Sequence, residues 1–197
     1  MRYIIILILS ISTICAIDSA DIKDRYTKSY NYEKMALYGE AIKVLAPIYN
    51  KYKDGYMINI RLGWLCYLDN KAEDSINYYK QASLIKPLSI APKLGLIRIY
   101  LNRYEFNEAE ALAFNILKKD YYNYYGNYYA IQALIGEKKY DIAIELIQKM
   151  LVLYPIDTLF LEQLFIAYKA TSSIYLKALR EDILIIDPNN ILANSSL

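Results

Sequence analysis

Apolar residues recur at three- and four-residue intervals along most of the chain, which is the spacing of amphipathic α-helices rather than strands. The segment 130–152 shows this pattern most clearly. One apolar face is formed by Ala130, Ile131, Leu134 and Ile135, and a second by Ile144, Ile147, Leu151 and Val152. The segment between them, 136–139, is polar and begins with glycine, as turns often do. The pattern therefore predicts two helices joined by a tight turn.

The helix pair recurs along the chain with one fixed period. Small residues mark this period at Ala41, Ser75, Ala109 and Ala143, with the same step between each position and the next. Small side chains here would let two helix axes approach to about 8 Å. Pro87 and Pro155 are two periods apart, and each follows a helix-like run that a proline cannot continue. Pro188 comes one position too early to be a full period after Pro155, which predicts that the last unit has lost one residue in a turn.

These positions resemble the repeat of the tetratricopeptide repeat family. Its 34-residue unit opens with Trp-x-x-Leu-Gly-x-x-Tyr, continues with Ala-x-x-x-Phe and closes with Pro. The segment 56–89 matches best, through Leu62, Gly63, Ser75, Tyr79 and Pro87. It departs from the family pattern at Asn59, in the Trp position, and at Cys66, in the Tyr position. The resemblance covers about residues 22–188.

The resemblance implies an all-α, right-handed solenoid of about five antiparallel helix pairs. Because one pair cannot bury its apolar face alone, stacked pairs bury each other's faces and share a continuous core. The predicted repeat domain is 18–188, with units 22–55, 56–89, 90–123, 124–157 and 158–188, followed by a C-terminal tail, 189–197. An unrelated helical bundle is the alternative fold, but a bundle gives no reason for a fixed repeat period.

The N-terminal segment 1–17 has the layout of a secretory signal peptide. Arg2 supplies the positive start, and the segment 3–17 is apolar apart from two serines and one threonine. This apolar span is shorter than the roughly 20 residues that a helix needs to cross a bilayer. The segment 1–17 is therefore predicted to be a signal peptide, and the mature protein is expected to be exported to the periplasm or secreted.

Two alternatives would keep the protein at a membrane. An uncleaved N-terminal segment would act as an anchor, and so would a lipid attached to Cys15. Ile14, directly before that cysteine, is a poor match to a lipoprotein signal. Removal of the signal peptide leaves Cys66 alone, which excludes an intramolecular disulfide and a cysteine-based metal site. Its apolar helical surroundings predict that Cys66 is buried.

Charge and missing residue types exclude several classes of function. With 23 basic and 21 acidic residues the chain lacks the positive excess of nucleic-acid binders, although the segment 118–125 mixes lysines with tyrosines. Histidine is absent, so no Ser-His-Asp or Cys-His site can form. The six glycines form no phosphate-binding loop. We therefore expect no catalytic site, no cofactor and no metal, and a partner that is a protein rather than a nucleic acid.

Protein binding is the function that the resemblance implies. In tetratricopeptide repeats the first helix of each unit lines a concave groove for a peptide or protein partner. Transferred to this chain, the groove residues are Tyr26, Tyr30, Met57, Ile60, Trp64, Tyr67, Leu94, Arg98, Leu101, Asn102, Tyr125, Tyr128 and Gln132. Tyr, Trp and Arg are enriched at binding hot spots. The alternative is that several of these aromatics belong to the inter-helix core, or reflect the composition of a chain with 23 tyrosines.

The C-terminal end offers a second contact surface. The segment 174–186 is apolar on more than one face, and few residues remain to cover it, whereas solenoids normally end in a polar capping helix. Two main functions therefore stay open. The first is a scaffold or adaptor that binds protein in its groove in an exported, envelope setting. The second is a structural protein that self-assembles through 174–186. A role as an accessory subunit of an enzyme is not distinguished from these.

Overall fold

The computed structural model describes residues 19–195, so the predicted signal peptide (1–17) and Cys15 lie outside the described residues. Over residues 19–195 the chain is all α-helix and turn, with no strand, which confirms the predicted class. The helices are α1 (Ser19–Lys34), α2 (Tyr38–Lys43), α3 (Ala46–Lys51), α4 (Tyr56–Leu68), α5 (Ala72–Ile85), α6 (Ala91–Asn102), α7 (Phe106–Leu117), α8 (Tyr124–Gly136), α9 (Tyr140–Leu153), α10 (Thr158–Ala170), α11 (Leu176–Ile186) and α12 (Ile191–Asn194). None of these helices combines the length and the apolar character needed to cross a bilayer.

The helices form one stack. All substantial contacts join helices that are adjacent or next but one along the chain. That arrangement confirms the predicted solenoid and excludes the alternative of a compact bundle, in which helices distant in sequence would meet. Buried apolar side chains form clusters along the stack, from one that includes Ile58 and Leu62 to one that includes Phe160 and Phe165.

The repeated small residues lie where the two helices of a pair approach each other. Ala41, Ser75, Ala109 and Ala143 are all fully buried. In the second pair the approach is close enough for the Ser75 hydroxyl to donate a hydrogen bond to the carbonyl oxygen of Gly63, at 2.6 Å. A larger side chain at these positions would separate the helices, so the regular spacing of small residues has a direct steric cause.

The second helix of the first pair is broken. α2 ends at Lys43 and α3 begins at Ala46, with Pro47 in the first turn of α3. Proline has no N–H and its ring collides with the carbonyl four residues earlier, so it kinks or breaks a helix, and here the helix is broken between Lys43 and Ala46. The first unit therefore contains three helices instead of two.

The last helix pair differs from the fourth pair by more than the loss of one residue. The turn between α10 and α11 spans 171–175, whereas the corresponding turn between α8 and α9 spans only 137–139. α11 has 11 residues and α9 has 14. The prediction that the residue was lost from a turn is therefore wrong, because the turn is longer and the helix after it is shorter.

A left-handed residue ends the first helix of every unit. Ala36, Asn70, Tyr104, Lys138 and Ser172 have φ between 52° and 62° and recur with the period of the repeat. In each unit the next residue donates its N–H to the carbonyl five positions earlier, as Lys139 does to Leu134 at 2.8 Å. This is the Schellman ending, in which glycine normally occupies the left-handed position. The chain uses no glycine there, so this repeated turn has no sequence signal.

We expect Lys138→Gly to stabilise the chain by about 0.5–1 kcal/mol, because glycine removes the steric cost of a left-handed backbone. Lys138 is exposed, so little packing is lost. The free energy of unfolding in urea measures the effect. The control is Lys80→Gly, at an exposed position inside α5, where glycine should destabilise by about 1 kcal/mol. Equal destabilisation in both variants would contradict the prediction.

A short helix covers part of the C-terminal end, where the sequence predicts an uncovered surface. α12 follows α11, and Asn190 caps it by accepting the N–H of Ala193 at 3.0 Å. Arg180 of α11 donates to the carbonyl of Ala193 at 2.6 Å. Leu179 and Ile183 of α11 are buried in a core cluster that also contains Ala193 of α12. The expectation that the segment 189–197 is too short to form a cap is thus wrong for part of α11.

Candidate protein-binding face

The predicted groove residues lie on α1, α4, α6 and α8, which are first helices of successive pairs. We call the surface of α1, α4, α6, α8 and α10 the first-helix face. None of the thirteen predicted residues is buried: four are exposed and nine are half-buried. The exposed ones are Tyr30, Met57, Asn102 and Tyr125. The side chains are therefore at the surface, where a partner can reach them, and whether they bind one stays a prediction.

Glu33 joins α1 to α4 through a polar cluster. Its carboxylate accepts a hydrogen bond from the indole N–H of Trp64 at 2.6 Å and pairs with the guanidinium of Arg61. Arg61 also donates to the Ser29 hydroxyl at 3.1 Å, and its guanidinium carbon lies 3.8 Å from the centre of the Tyr30 ring. These contacts fix the Trp64 ring in one orientation at the surface.

Arg98 extends the same row of side chains onto α6. Its guanidinium carbon lies 4.9 Å from the centre of the Trp64 ring, and Trp64 stacks on Tyr67 with ring centres 5.6 Å apart. Asn102 donates to the Tyr67 hydroxyl at 2.9 Å. A cation held over an aromatic face contributes about 0.5–1 kcal/mol at an exposed site. The row therefore runs without a break across three first helices.

Depressions lie between neighbouring first helices. One, of about 290 Å³, is lined by Tyr26, Tyr30, Glu33, Met57, Ile60, Arg61 and Trp64. Another, of about 250 Å³, is lined by Arg98, Leu101, Asn102, Phe106, Tyr129 and Gln132. The Nε atom of Arg98 is buried and has no hydrogen-bond partner among the described residues. Both depressions combine aromatic walls with a few polar groups, which is the composition typical of binding pockets.

Tyrosines dominate the face at α8. Tyr125 stacks on Tyr129 with ring centres 6.2 Å apart, and Tyr128 packs edge-on against Phe160 of α10 at 6.1 Å. Gln132 donates to the Tyr128 hydroxyl at 3.2 Å. Burial raises the pKa of Tyr128 and of Tyr129 above the usual tyrosine value. Both hydroxyls therefore stay protonated at neutral pH and can donate hydrogen bonds.

Solved structures share this architecture. The chain superimposes on a MamA crystal structure with a TM-score of 0.72 at 12% identity, covering 91% of this chain and 99% of that one. For MamA from Desulfovibrio magneticus RS-1 the TM-score is 0.73 at 13% identity, and the match covers 87% of this chain and 95% of that one. For an RS-1 double mutant of MamA the TM-score is 0.77 at 12% identity, with 88% and 97% covered. The chain has a tetratricopeptide-like repeat fold. No protein-family profile matches the sequence, and no curated protein does.

Several predicted groove residues of this tetratricopeptide-like fold also contribute to its core. Those with one side packed against buried clusters are Tyr26, Ile60, Tyr67, Leu94, Leu101 and Tyr128. The alternative, that some of the aromatics are packing residues, therefore holds in part for this group. Met57, Trp64, Arg98 and Tyr125 are outside those clusters and are the better probes of binding.

Four residues that line these two depressions are not among the predicted groove residues: Glu33, Arg61, Phe106 and Tyr129. Arg61 follows Ile60 directly, so the two residues point to different sides of α4. The available signal was the opposite charge of Glu33 and Arg61 on neighbouring first helices. Phe106 begins a second helix, which the transfer from the tetratricopeptide groove did not consider.

Reactive groups are few in the part of the chain that the structure describes. No cluster of acidic or cysteine side chains there has the geometry to hold a metal ion. Cys66 is buried, as predicted, and burial raises the pKa of its thiol to about 12. Such a thiol is almost entirely protonated at neutral pH and is a poor nucleophile.

Proposed function

We propose that the chain is a scaffold or adaptor that binds a protein segment along its first-helix face. The observation that carries this proposal is the row of mutually held side chains from Glu33 through Trp64 to Arg98, which leaves aromatic and cationic groups accessible. The likeness to MamA structures supports a repeat scaffold of this kind. It gives no partner, and the chemistry of the row is what indicates the kind of partner.

The row favours a partner segment with apolar and acidic or carbonyl groups. Trp and Tyr bury a large area at a low entropic cost, and Arg98 offers directional N–H donors. Because Ser29, Tyr30 and Glu33 already contact Arg61, Arg98 is the cation of this row that remains for a partner. A clamp for a terminal carboxylate usually needs several such cations. We therefore propose that the partner binds through internal side chains.

The proposal includes an exported setting. It rests on the N-terminal sequence alone, where the segment 1–17 has the order of a signal peptide. In this setting the partner is a periplasmic, envelope or secreted protein. Determination of the N-terminal residue of the protein recovered from its native host tests this part, and a chain that retains Met1 in a cytosolic fraction would contradict it.

Site-specific photo-crosslinking tests the binding face. We would place a benzoylphenylalanine at position 57 on the first-helix face and, as the control, at position 84 on α5. Met57 and Leu84 have similar exposure, at 65% and 76%, so chance collisions should label both equally. We expect a discrete adduct from position 57 in envelope extracts and none from position 84. Equal labelling at the two positions would contradict the proposed face.

Variants then separate binding from stability. Tyr125→Ala removes an exposed ring outside the core clusters and should weaken capture while it leaves the melting temperature unchanged. Trp64→Ala should weaken capture more, by about tenfold, because it removes the ring on which Arg98 and Tyr67 rest. A loss of binding that only follows a loss of stability would support a packing role for these rings instead.

Self-association is the second candidate function. Ile185 and Ile191 at the C-terminal end are 79% and 85% exposed, and Ile174 and Tyr175, just before α11, are exposed as well. Apolar groups that stay uncovered beside a short cap favour a contact between copies of the chain. Light scattering should show oligomers that Ile185→Glu reduces to monomers. A monomer at high concentration would exclude this surface as a self-association site.

A further inference from the structure

A cavity of about 510 Å³ lies away from the first-helix face, between the first and second units. Its lining includes Tyr49, Lys53, Asp54, Asn59, Asp74 and Tyr78. Most of the lining belongs to α3, to the loop after it and to α5. Two carboxylates, Asp54 and Asp74, stand against one ammonium group, that of Lys53, so the lining is acidic overall.

One lining residue is fully buried and incompletely hydrogen-bonded. Asn59 donates through Nδ2 to the carbonyls of Lys53 and Gly55, at 2.7 and 2.8 Å. These two bonds fix which amide atom is the oxygen. Its Oδ1 has no hydrogen-bond partner among the described residues. An unpaired buried acceptor is unfavourable, because it has lost its hydrogen bonds to water, so a donor at this point would be stabilising.

The fourth unit contains the same arrangement, but there the equivalent amide oxygen accepts a hydrogen bond. Asn127, two repeats after Asn59, donates in the same way to the carbonyls of Tyr121 and Asn123. Its Oδ1 accepts a hydrogen bond from the ammonium group of Lys149, at 2.5 Å. That ammonium also donates to the Tyr121 carbonyl at 3.1 Å and lies 3.9 Å from the centre of the Tyr121 ring.

The second unit has no lysine at the position equivalent to Lys149, and two carboxylates lie near that position. Gln81 occupies the position equivalent to Lys149, again two repeats earlier, and it donates to Asp54 instead. Asp54 and Asp74 occupy the positions of Tyr122 and Ile142. We propose that the cavity beside Asn59 binds a primary alkylammonium group. The group donates to Asn59 Oδ1 and the Lys53 carbonyl, and Asp54 and Asp74 balance its charge.

Aromatic rings favour the same ligand. Tyr49 and Tyr78 meet edge to face with ring centres 5.3 Å apart and form one wall of the cavity. A ring face attracts an ammonium group, and an apolar wall accommodates its alkyl chain. The ammonium can come from a free amine or from a lysine side chain of another protein. Both have the same chemistry, and the test below distinguishes them.

The test follows the side-chain amide of Asn59 by NMR in the ¹⁵N-labelled chain. The probes are n-butylammonium, for a free amine, and Nα-acetyl-lysine amide, for a protein side chain. n-Butanol and Nα,Nε-diacetyl-lysine amide are their uncharged controls. We expect saturable shifts of the Asn59 Nδ2 protons with a charged probe and none with the controls. Tighter binding of one charged probe identifies the source, and equal shifts with charged and uncharged probes would overturn the proposal.

Gln81→Lys is the decisive variant, because it rebuilds the fourth-unit contact in the second unit. The new ammonium should fill the site, abolish the probe-induced shifts and raise the melting temperature. Asn115→Lys adds the same charge at an exposed position on α7 and should change neither property. If Gln81→Lys leaves probe affinity unchanged, the site is not at Asn59.

Asp74→Asn gives an independent check that does not depend on how Gln81→Lys folds. Asp74 is exposed near the start of α5, so the fold should survive the change. Loss of its charge should weaken binding of the charged probe by about fivefold. Unchanged affinity in this variant would overturn the role of the carboxylates. Binding here is separate from the first-helix face, so Trp64→Ala should leave it intact.

Discussion

Gly95→Ala is expected to destabilise the chain by about 2 kcal/mol or more, although alanine is the better helix former. A Cβ atom built at Gly95 would lie 2.4 Å from Cζ of Tyr79. The same ring lies close to Gly63 of α4, where a Cβ would stand 2.9 Å from it, so the α4 backbone leaves the ring little room to move away from Gly95. Tyr79 is only 3% exposed between α4 and α6, and its ring depends on a glycine in each of these helices.

Gly39→Ala is the matched control. Gly39 lies in α2 and a Cβ there would meet no atom within 4 Å, so alanine should stabilise by about 0.5–1 kcal/mol. Urea unfolding of both variants gives the comparison. The Gly95 penalty should shrink in a Tyr79→Leu background, because leucine lacks the ring atoms that clash. A Gly95→Ala chain as stable as the Gly39→Ala chain would contradict the close packing of this ring.

The parts of the fold that were predictable are those that need a particular residue type. Ala41, Ser75, Ala109 and Ala143 must be small, so the repeat period was visible in the sequence. The left-handed turns recur with the same period, but alanine, asparagine, tyrosine, lysine and serine occupy them. Their shared hydrogen bond uses only backbone atoms. The turn over 136–139 was predicted, but a left-handed residue held by backbone atoms alone leaves no residue signal, so its geometry could not be predicted.

The candidate face also has residues that the sequence could predict and residues that it could not. The surface positions of Trp64 and Arg98 were predictable, because the spacing of residues within one helix determines which side chains face outward. Glu33 and Arg61 depend on which helices become neighbours, which spacing within one helix does not give. The Asn59 cavity was partly visible in the sequence, because Asn59 is one of the two positions at which the second unit departs from the family pattern. Alignment of the second unit with the fourth would have paired Gln81 with Lys149.

The ion pair of Glu33 and Arg61 contributes both to the stability of the fold and to the orientation of the proposed binding face. The Arg61 side chain is only 7% exposed and that of Glu33 is 22% exposed. The charged groups form the polar link between α1 and α4, and the same carboxylate orients Trp64. Because each unit of a solenoid is held mainly by its neighbour, loss of this link should loosen the first unit more than the rest.

Glu33→Ala is expected to cost about 3 kcal/mol, because it leaves Arg61 buried without its carboxylate partner. Arg61→Met should cost a similar amount, since it leaves Glu33 half-buried and unpaired. The double variant Glu33→Leu/Arg61→Met should be close to the wild type in stability, as buried ion pairs are often replaceable by apolar side chains.

In the single variants, hydrogen exchange should show a loss of protection in α1 while α6 to α10 stay protected. Additive costs in the double variant, or uniform loss of protection along the stack, would contradict a link of this kind. In the stable double variant Trp64 loses its anchor, so binding along the first-helix face should fall although the fold is restored.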